Sequence, residues 1–280
     1  MNWKILFGIA LVGSGLAIAQ NLRLPVGDGN ISDEAKTGFV FSCQQRFPSN
    51  PPGAFKAGAW LNSSTWEPSK KPVVDGAVAW PNSQMLIKLE GTKRRLTANN
   101  LPTHATGIFP IQTGDDAYQF DRNPNPIKAQ RINLELPANP RLAANPSCLP
   151  MGLIGFALSG AAIYNALDAG GRDAAAHEIQ DACNGHPERS GQYHYHDWSA
   201  CLPDTSSTGK HNVIGYALDG FGIYGLHSGG KELSNSSLDE CHGHTHEIVW
   251  DAKAQTMYHY HMTRAYPYTL GCFRGTPAGQ

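Results

Sequence analysis

Apolar and polar residues alternate with period two in several short stretches of this chain. Met85 to Glu90 and Gln130 to Leu136, with Ile132, Leu134 and Leu136 on one side, each predict a half-buried strand. Pro72 to Trp80 predicts a strand or a hairpin around Asp75-Gly76. The most distinctive alternation is Tyr193-His194-Tyr195-His196, which returns as Tyr258-His259-Tyr260-His261. In a strand, side chains point to opposite faces in turn. Each word therefore puts two imidazoles on one face and two phenols on the other. Two such imidazoles lie roughly 6–7 Å apart at Cα, close enough to share a metal ion.

The repeated words sit in a larger duplication. Ile154 to Tyr164 aligns with Ile214 to Tyr224 at an offset of 60, with seven of eleven positions identical. Asp181-Ala-Cys183-Asn-Gly185-His186 aligns with Asp239-Glu-Cys241-His-Gly243-His244. The tetrapeptides then follow, after six residues in the first copy and thirteen in the second, and a trailing cysteine closes each. Preserved order marks a duplication. Each unit opens with two apolar runs around Ser159-Gly160 or Asp219-Gly220, which predicts a tight hairpin, of type I′ for Asp-Gly. Asp173 to Gln180, Ala-rich, predicts a short helix. Two copies pack most simply about a pseudo-twofold axis, with their tetrapeptide strands equivalent and adjacent. The expected fold is mostly β, loop-rich and minor in α.

Composition supports this class. The chain has 30 Gly and 19 Pro among 280 residues, which favours loops and strands over a helical bundle. Charged residues make up 16% and the formal net charge is −1, which excludes the basic stripe of a nucleic-acid binder. Lys93-Arg94-Arg95 is expected to be a solvated turn. Met1 to Ala19 has a positive start at Lys4, an apolar run from Ile5 to Leu16, and Ala17-Ile18-Ala19 as a cleavage signal. It predicts a secretory signal peptide cleaved after Ala19, and so a secreted or periplasmic protein with no membrane attachment after cleavage. A single domain is expected over residues 20–280, with an amino-terminal region 20–150 and units 151–209 and 210–280.

Export changes how the six cysteines read. In an oxidising compartment they favour disulfides over thiolates. Pairing within each unit gives Cys183 with Cys201 and Cys241 with Cys272, leaving Cys43 with Cys148; a cross-unit pairing respects the same symmetry. The twelve histidines carry the candidate chemistry, and eleven follow Met151. His194, His196, His259 and His261 are the leading metal-ligand set, copper first and zinc second, because imidazole without thiolate suits both. Set against this, alternating Tyr and His also makes a merely polar aromatic surface. His186 and His244, each three residues after a cysteine, are further candidates. Asp181 and Asp239 either orient a ligating imidazole or cap a loop. His242 and His246 read as a weaker locus or an exposed loop, and His177, His211 and His227 follow no pattern. No nucleophile elbow, phosphate loop, dinucleotide fingerprint or His-Glu-x-x-His occurs.

With these words in hand, the chain resembles the YHYH domain family of secreted and surface proteins, over roughly His104 to Arg274. The loop Leu101-Pro102-Thr103-His104, with Gly107 and Phe109-Pro110, looks like a family feature. The resemblance implies that His104 is functional, here as a fifth metal ligand. It implies little mechanism, since the family's members are described as of unknown function. The expected function is an exported multi-histidine metal protein, as a redox metalloenzyme or in copper handling. Two other classes stay open: a carbohydrate or cell-surface module stacking sugars on the Tyr-rich face, and a zinc-dependent hydrolase.

Overall fold

The computed structural model describes residues 22–210 and 212–278. The signal-peptide expectation for residues 1–19 and His211 lie outside the described residues. The chain is mostly β, and two sheets carry the architecture. A three-stranded antiparallel meander is formed by β1 (Met85–Glu90), β2 (Lys93–Ala98) and β3 (Ile132–Pro137). An eight-stranded sheet contains β4 (Leu153–Ala157), β5 (Ala162–Tyr164), β6 (Gly185–Pro187), β7 (Tyr193–Tyr195), β8 (Val213–Ala217), β9 (Gly222–Tyr224), β10 (Gly243–Trp250) and β11 (Lys253–His261). Its order is β6-β7-β5-β4-β8-β9-β11-β10.

That order presents the same kinds of strand from either edge inward. At the centre, β4 and β8 pair antiparallel, with Phe156 opposite Tyr216, two residues related by the sequence offset of 60. Outward from there, β4 and β8 form hairpins with β5 and β9, which pair in parallel with β7 and β11. Consequently the two tetrapeptide strands are not adjacent. Four strands separate them, because the hairpins that open the units meet at the centre and push the histidine strands outward. This corrects the expectation of neighbouring YHYH strands.

The two faces of the large sheet differ. One buries Ile154, Ile163, Ile214 and Ile223 with the YHYH tyrosines in the main core, beneath amino-terminal segments that add Val40, Trp60 and Trp66. The other packs Phe156 and Tyr216 against Leu96 and Leu136 of the meander. Each buried aliphatic or aromatic side chain contributes about 1.5–3 kcal/mol relative to exposure. Arg94 is not on a solvated turn, as its charge run suggested, but inside β2 and 2% exposed. Its guanidinium lies 4.5 Å from the Tyr216 ring centroid and 4.7 Å from that of Trp250, and it pairs with Asp251 at 2.8 Å. A planar guanidinium can stack on aromatic faces and still pair with a carboxylate in its own plane.

Other local expectations meet mixed outcomes. The stretch from Pro72 to Trp80 forms no ladder; Val74 and Val78 make isolated bridges to Asp181 and Thr106. The Ala-rich helix is one turn, Ala174–His177, capped by Asp173. In the hairpin turns only Gly160 and Gly220 have positive φ (88° and 90°), while Ser159 and Asp219 do not. The turns are thus not type I′, which needs positive φ at both central residues. The disulfides are Cys43–Cys148, Cys183–Cys201 and Cys241–Cys272. Each unit holds its own bridge, and the third joins the start of the amino-terminal region to its end. Closing such loops contributes about 2–4 kcal/mol per bridge.

The central strands approach so closely that glycine is required. A Cβ on Gly155 would sit 2.8 Å from Tyr216 O, and one on Gly215 2.8 Å from Phe156 O. Backbone cannot retreat as a flexible side chain does. Gly215→Ala is expected to destabilise the protein by about 1–3 kcal/mol, read as a lowered urea midpoint at unchanged m-value. An unshifted midpoint would contradict this packing.

Candidate metal centres

The outward placement of the histidine strands creates two separate imidazole clusters. Strand β6 pairs antiparallel with β7, putting His186 directly opposite His194. Strand β10 pairs with β11 in the same sense, putting His244 opposite His259. With His196 and His261 two residues further along, each unit gathers its own set: His186, His194 and His196 in one, and His244, His246, His259 and His261 in the other. Within each set the ligand atoms lie within 4.8 Å of one another.

The hydrogen bonds of the rings decide what these clusters can do. His194 Nδ1 is 3.0 Å from Gln192 O, and His196 Nδ1 is 2.6 Å from Asn165 O. In the second unit, His259 Nδ1 is 3.1 Å from Met257 O and His261 Nδ1 2.7 Å from Gly225 O. A backbone carbonyl only accepts, so each Nδ1 carries the proton and each Nε2 presents a lone pair. His194 Nε2 and His196 Nε2 are 3.1 Å apart, and His246 Nε2 and His259 Nε2 3.2 Å. Between His194 and His196 the contact is therefore lone pair against lone pair, which a cation relieves. Tetrahedral ligands at the usual zinc–nitrogen distance lie about 3.3 Å from one another. Glu178 joins the first cluster: its Oε2 is 3.4 Å from both His186 Nε2 and His196 Nε2.

Burial keeps His186, His194, His196 and His259 in the ligating form. His194 and His196 are 3% exposed, and His259 and His261 fully buried. Desolvation holds His186 and His194 well below the usual imidazole range, with neighbouring imidazoles adding to the effect. His196 falls to about 4, and His259 is lowered in the same way. Ring contacts fix the orientation. Tyr164 stacks on His194 at 3.9 Å between centroids, and Tyr224 lies edge-on to His259 at 4.8 Å.

The tyrosines of the tetrapeptides face the opposite way and do structural work. Tyr193 OH donates to Asp181 at 3.0 Å, and Tyr258 OH to Asp239 at 2.9 Å. The same carboxylates accept backbone N–H groups of Cys183 and Gly185, or of Cys241 and Gly243. Asp181 and Asp239 thus cap their loops and do not orient the imidazoles. Gly185 and Gly243 leave room for the phenols, since a Cβ at either would land on the Tyr193 or Tyr258 side chain. Tyr193, Tyr195, Tyr258, Tyr260, Tyr266 and Tyr268 are all at most 5% exposed, so none offers a ring for sugar stacking.

Several predicted positions land elsewhere. His104 meets Tyr195 OH through Nε2, on the phenol face, so it cannot serve as a fifth ligand to imidazoles on the other face. Its neighbours Cys183 and Cys201 are bridged to each other, which removes the thiolates a metal would need. His242 bonds Thr269 O and Asn235 Oδ1, and His177 pairs with Asp28. One participant, Glu178, escaped sequence reasoning, and another, His246, read as a weaker locus or an exposed loop, joins the second cluster. His246 was legible in the alternation of His244 and His246, the same period-two signal as in the tetrapeptides. Glu178 carried no local signal, because it enters from a turn.

The titration of His196 has a measurable sign. Its folded value, about 4, lies below the ordinary 6.5. The unfolded chain therefore takes a proton that the folded chain refuses, and stability is lost as pH falls from 6.5 toward 4. Buried Asp173 and Asp197, pushed up by desolvation to about 6 and about 7, act in the opposite direction. The difference isolates the imidazole. Between pH 7 and pH 5, metal-stripped wild type is expected to lose about 2 kcal/mol more stability than His196→Gln, by urea unfolding. Equal losses would contradict the buried neutral imidazole.

Residues 133–236 match the family model described as YHYH protein, a span that includes the first tetrapeptide and ends before the second. No curated protein and no solved structure gives a significant match. Over residues 133–236, rather more than a third of its length, this chain is similar to the YHYH protein family.

Proposed function

We propose that this is an exported protein that binds two transition-metal ions, one in each histidine cluster, with copper the leading metal and zinc the alternative. The observation that carries the reading is the set of anchored rings. In both clusters the tetrapeptide histidines commit their Nδ1 protons to backbone carbonyls, and Nε2 atoms approach to 3.1 Å between His194 and His196 and 3.2 Å between His246 and His259. Imidazole is a ligand for copper and zinc alike, and the absence of thiolate among the cluster residues favours the divalent over the cuprous state. All six cysteines are in disulfides, which fits an oxidising compartment. Among the described residues, no helix is long and apolar enough to cross a membrane. Copper binding or handling outside the cytoplasm is the role this combination suits.

Metal content tests the proposal directly. Wild type, purified without chelator, is expected to hold two ions per chain by elemental analysis. His194→Ala with His196→Ala is expected to remove one ion, His259→Ala with His261→Ala the other, and His104→Ala neither. Zero metal in wild type after reconstitution with copper or zinc would sink the proposal. A single ion lost in both double variants would instead show one shared site.

A further inference from the structure

The two clusters are built from equivalent strands but completed from different places. Counting back three residues from Asp181 reaches Glu178; counting back three from Asp239 reaches Ser236. Counting two past His186 reaches Glu188; two past His244 reaches His246. Glu188 does not take the role of His246, because its carboxylate is spent on the turn below, accepting from Ser190 N at 2.9 Å and Gln192 N at 3.2 Å. Glu178 is placed differently. Its side chain is 13% exposed, and Oε2 makes no hydrogen bond while standing 3.4 Å from two imidazole nitrogens. A buried carboxylate oxygen without a donor is costly unless a cation or proton satisfies it.

The turn that carries Glu178 is held from outside the unit. Lys71 Nζ donates to Ala175 O at 2.5 Å, to Glu178 O at 2.9 Å and to Gln180 Oε1. Trp60 Nε1 donates to Ala176 O at 2.9 Å, and Val74 N to Gln180 O at 2.9 Å. The amino-terminal region therefore fixes the backbone on both sides of this carboxylate. The second cluster needs no such clamp, since all four of its imidazoles come from the β10–β11 hairpin and its end.

We infer that Glu178 is the fourth ligand of the first cluster, so that the protein has two chemically unequal centres, a buried three-imidazole carboxylate site suited to zinc and a more open four-imidazole site suited to copper. The inference rests on the proposed two-ion reading. A divalent ion in the first set leaves one net positive charge, in the second two. The carboxylate is thus found where solvent is scarce: His186, His194 and His196 are all buried, whereas His244 and His246 are only partly so. Removing charge from a buried site lowers its desolvation cost. A nitrogen and oxygen set in four-coordination is usual for zinc, and copper gains most over zinc from added imidazole.

The test is metal partition. Chelator-stripped protein is given one equivalent each of copper(II) and zinc(II), then desalted, analysed for both metals and examined by electron paramagnetic resonance. Wild type is expected to retain one of each, with hyperfine structure from nitrogen donors at copper. Glu178→Gln, which keeps shape and loses charge, is expected to weaken zinc retention by about tenfold or more and leave the copper signal unchanged. His246→Ala is expected to alter the copper signal and spare zinc. Lys71→Met is expected to weaken zinc only, as a positioning residue. Circular dichroism of each stripped variant separates misfolding from ligand loss. Wild type binding two ions with Glu178→Gln unchanged would overturn this inference and leave the two-ion reading standing. Wild type binding no metal would overturn both.

Discussion

The arrangement depends on four imidazole N–H groups that donate to backbone carbonyls. His194, His196, His259 and His261 each spend Nδ1 in this way. The acceptors are carbonyls two residues back along the chain, or just past the hairpin strand beside it. Such bonds hold the ring plane and the tautomer together. They leave Nε2 as the only available donor atom and aim it inward. Without them the same residues would be a polar strand surface with rotating rings. With them, lone pairs crowd within hydrogen-bond distance and invite a cation.

The tyrosines make this possible from the other face. Alternation in a strand means that fixing one face fixes both. Tyr193 and Tyr258 reach over glycines to carboxylates that also cap the loops carrying His186 and His244. Tyr260 donates to Asp219 at 2.5 Å and accepts from Arg274 N, while Tyr195 meets Ser159 and His104. The tetrapeptide is thus two structures in one: a phenol ladder that locks the strand in the core, and an imidazole pair held rigidly above it. The disulfide of each unit closes the same loop, so ligands from separate strands keep their relative positions.

Much of this was legible in the sequence, and the failures are instructive. Period-two alternation located β1, β3 and both histidine strands, and the duplication placed His186 and His244 with them. Pairing the cysteines within each unit gave the observed bridges. What alternation cannot supply is strand order. Nothing local says that β4 and β8 meet at the centre, so the tetrapeptide strands were expected side by side and instead stand apart, each in its own cluster. Arg94 was misplaced for a related reason: a basic run reads as solvated until Tyr216 and Trp250, 122 and 156 residues later, stack on it. Glu178 was invisible because a single carboxylate on a turn has no period, and the Lys71 clamp that places it arrives from more than a hundred residues away.

The central claim is that two separate clusters each hold an ion. Anomalous diffraction from crystals of metal-loaded protein, collected at the copper and zinc edges, tests it most directly. The account predicts two peaks at opposite ends of the eight-stranded sheet, each about 2.0–2.2 Å from the Nε2 atoms of its own histidines. A single peak shared by both tetrapeptides, or peaks away from these rings, would contradict it.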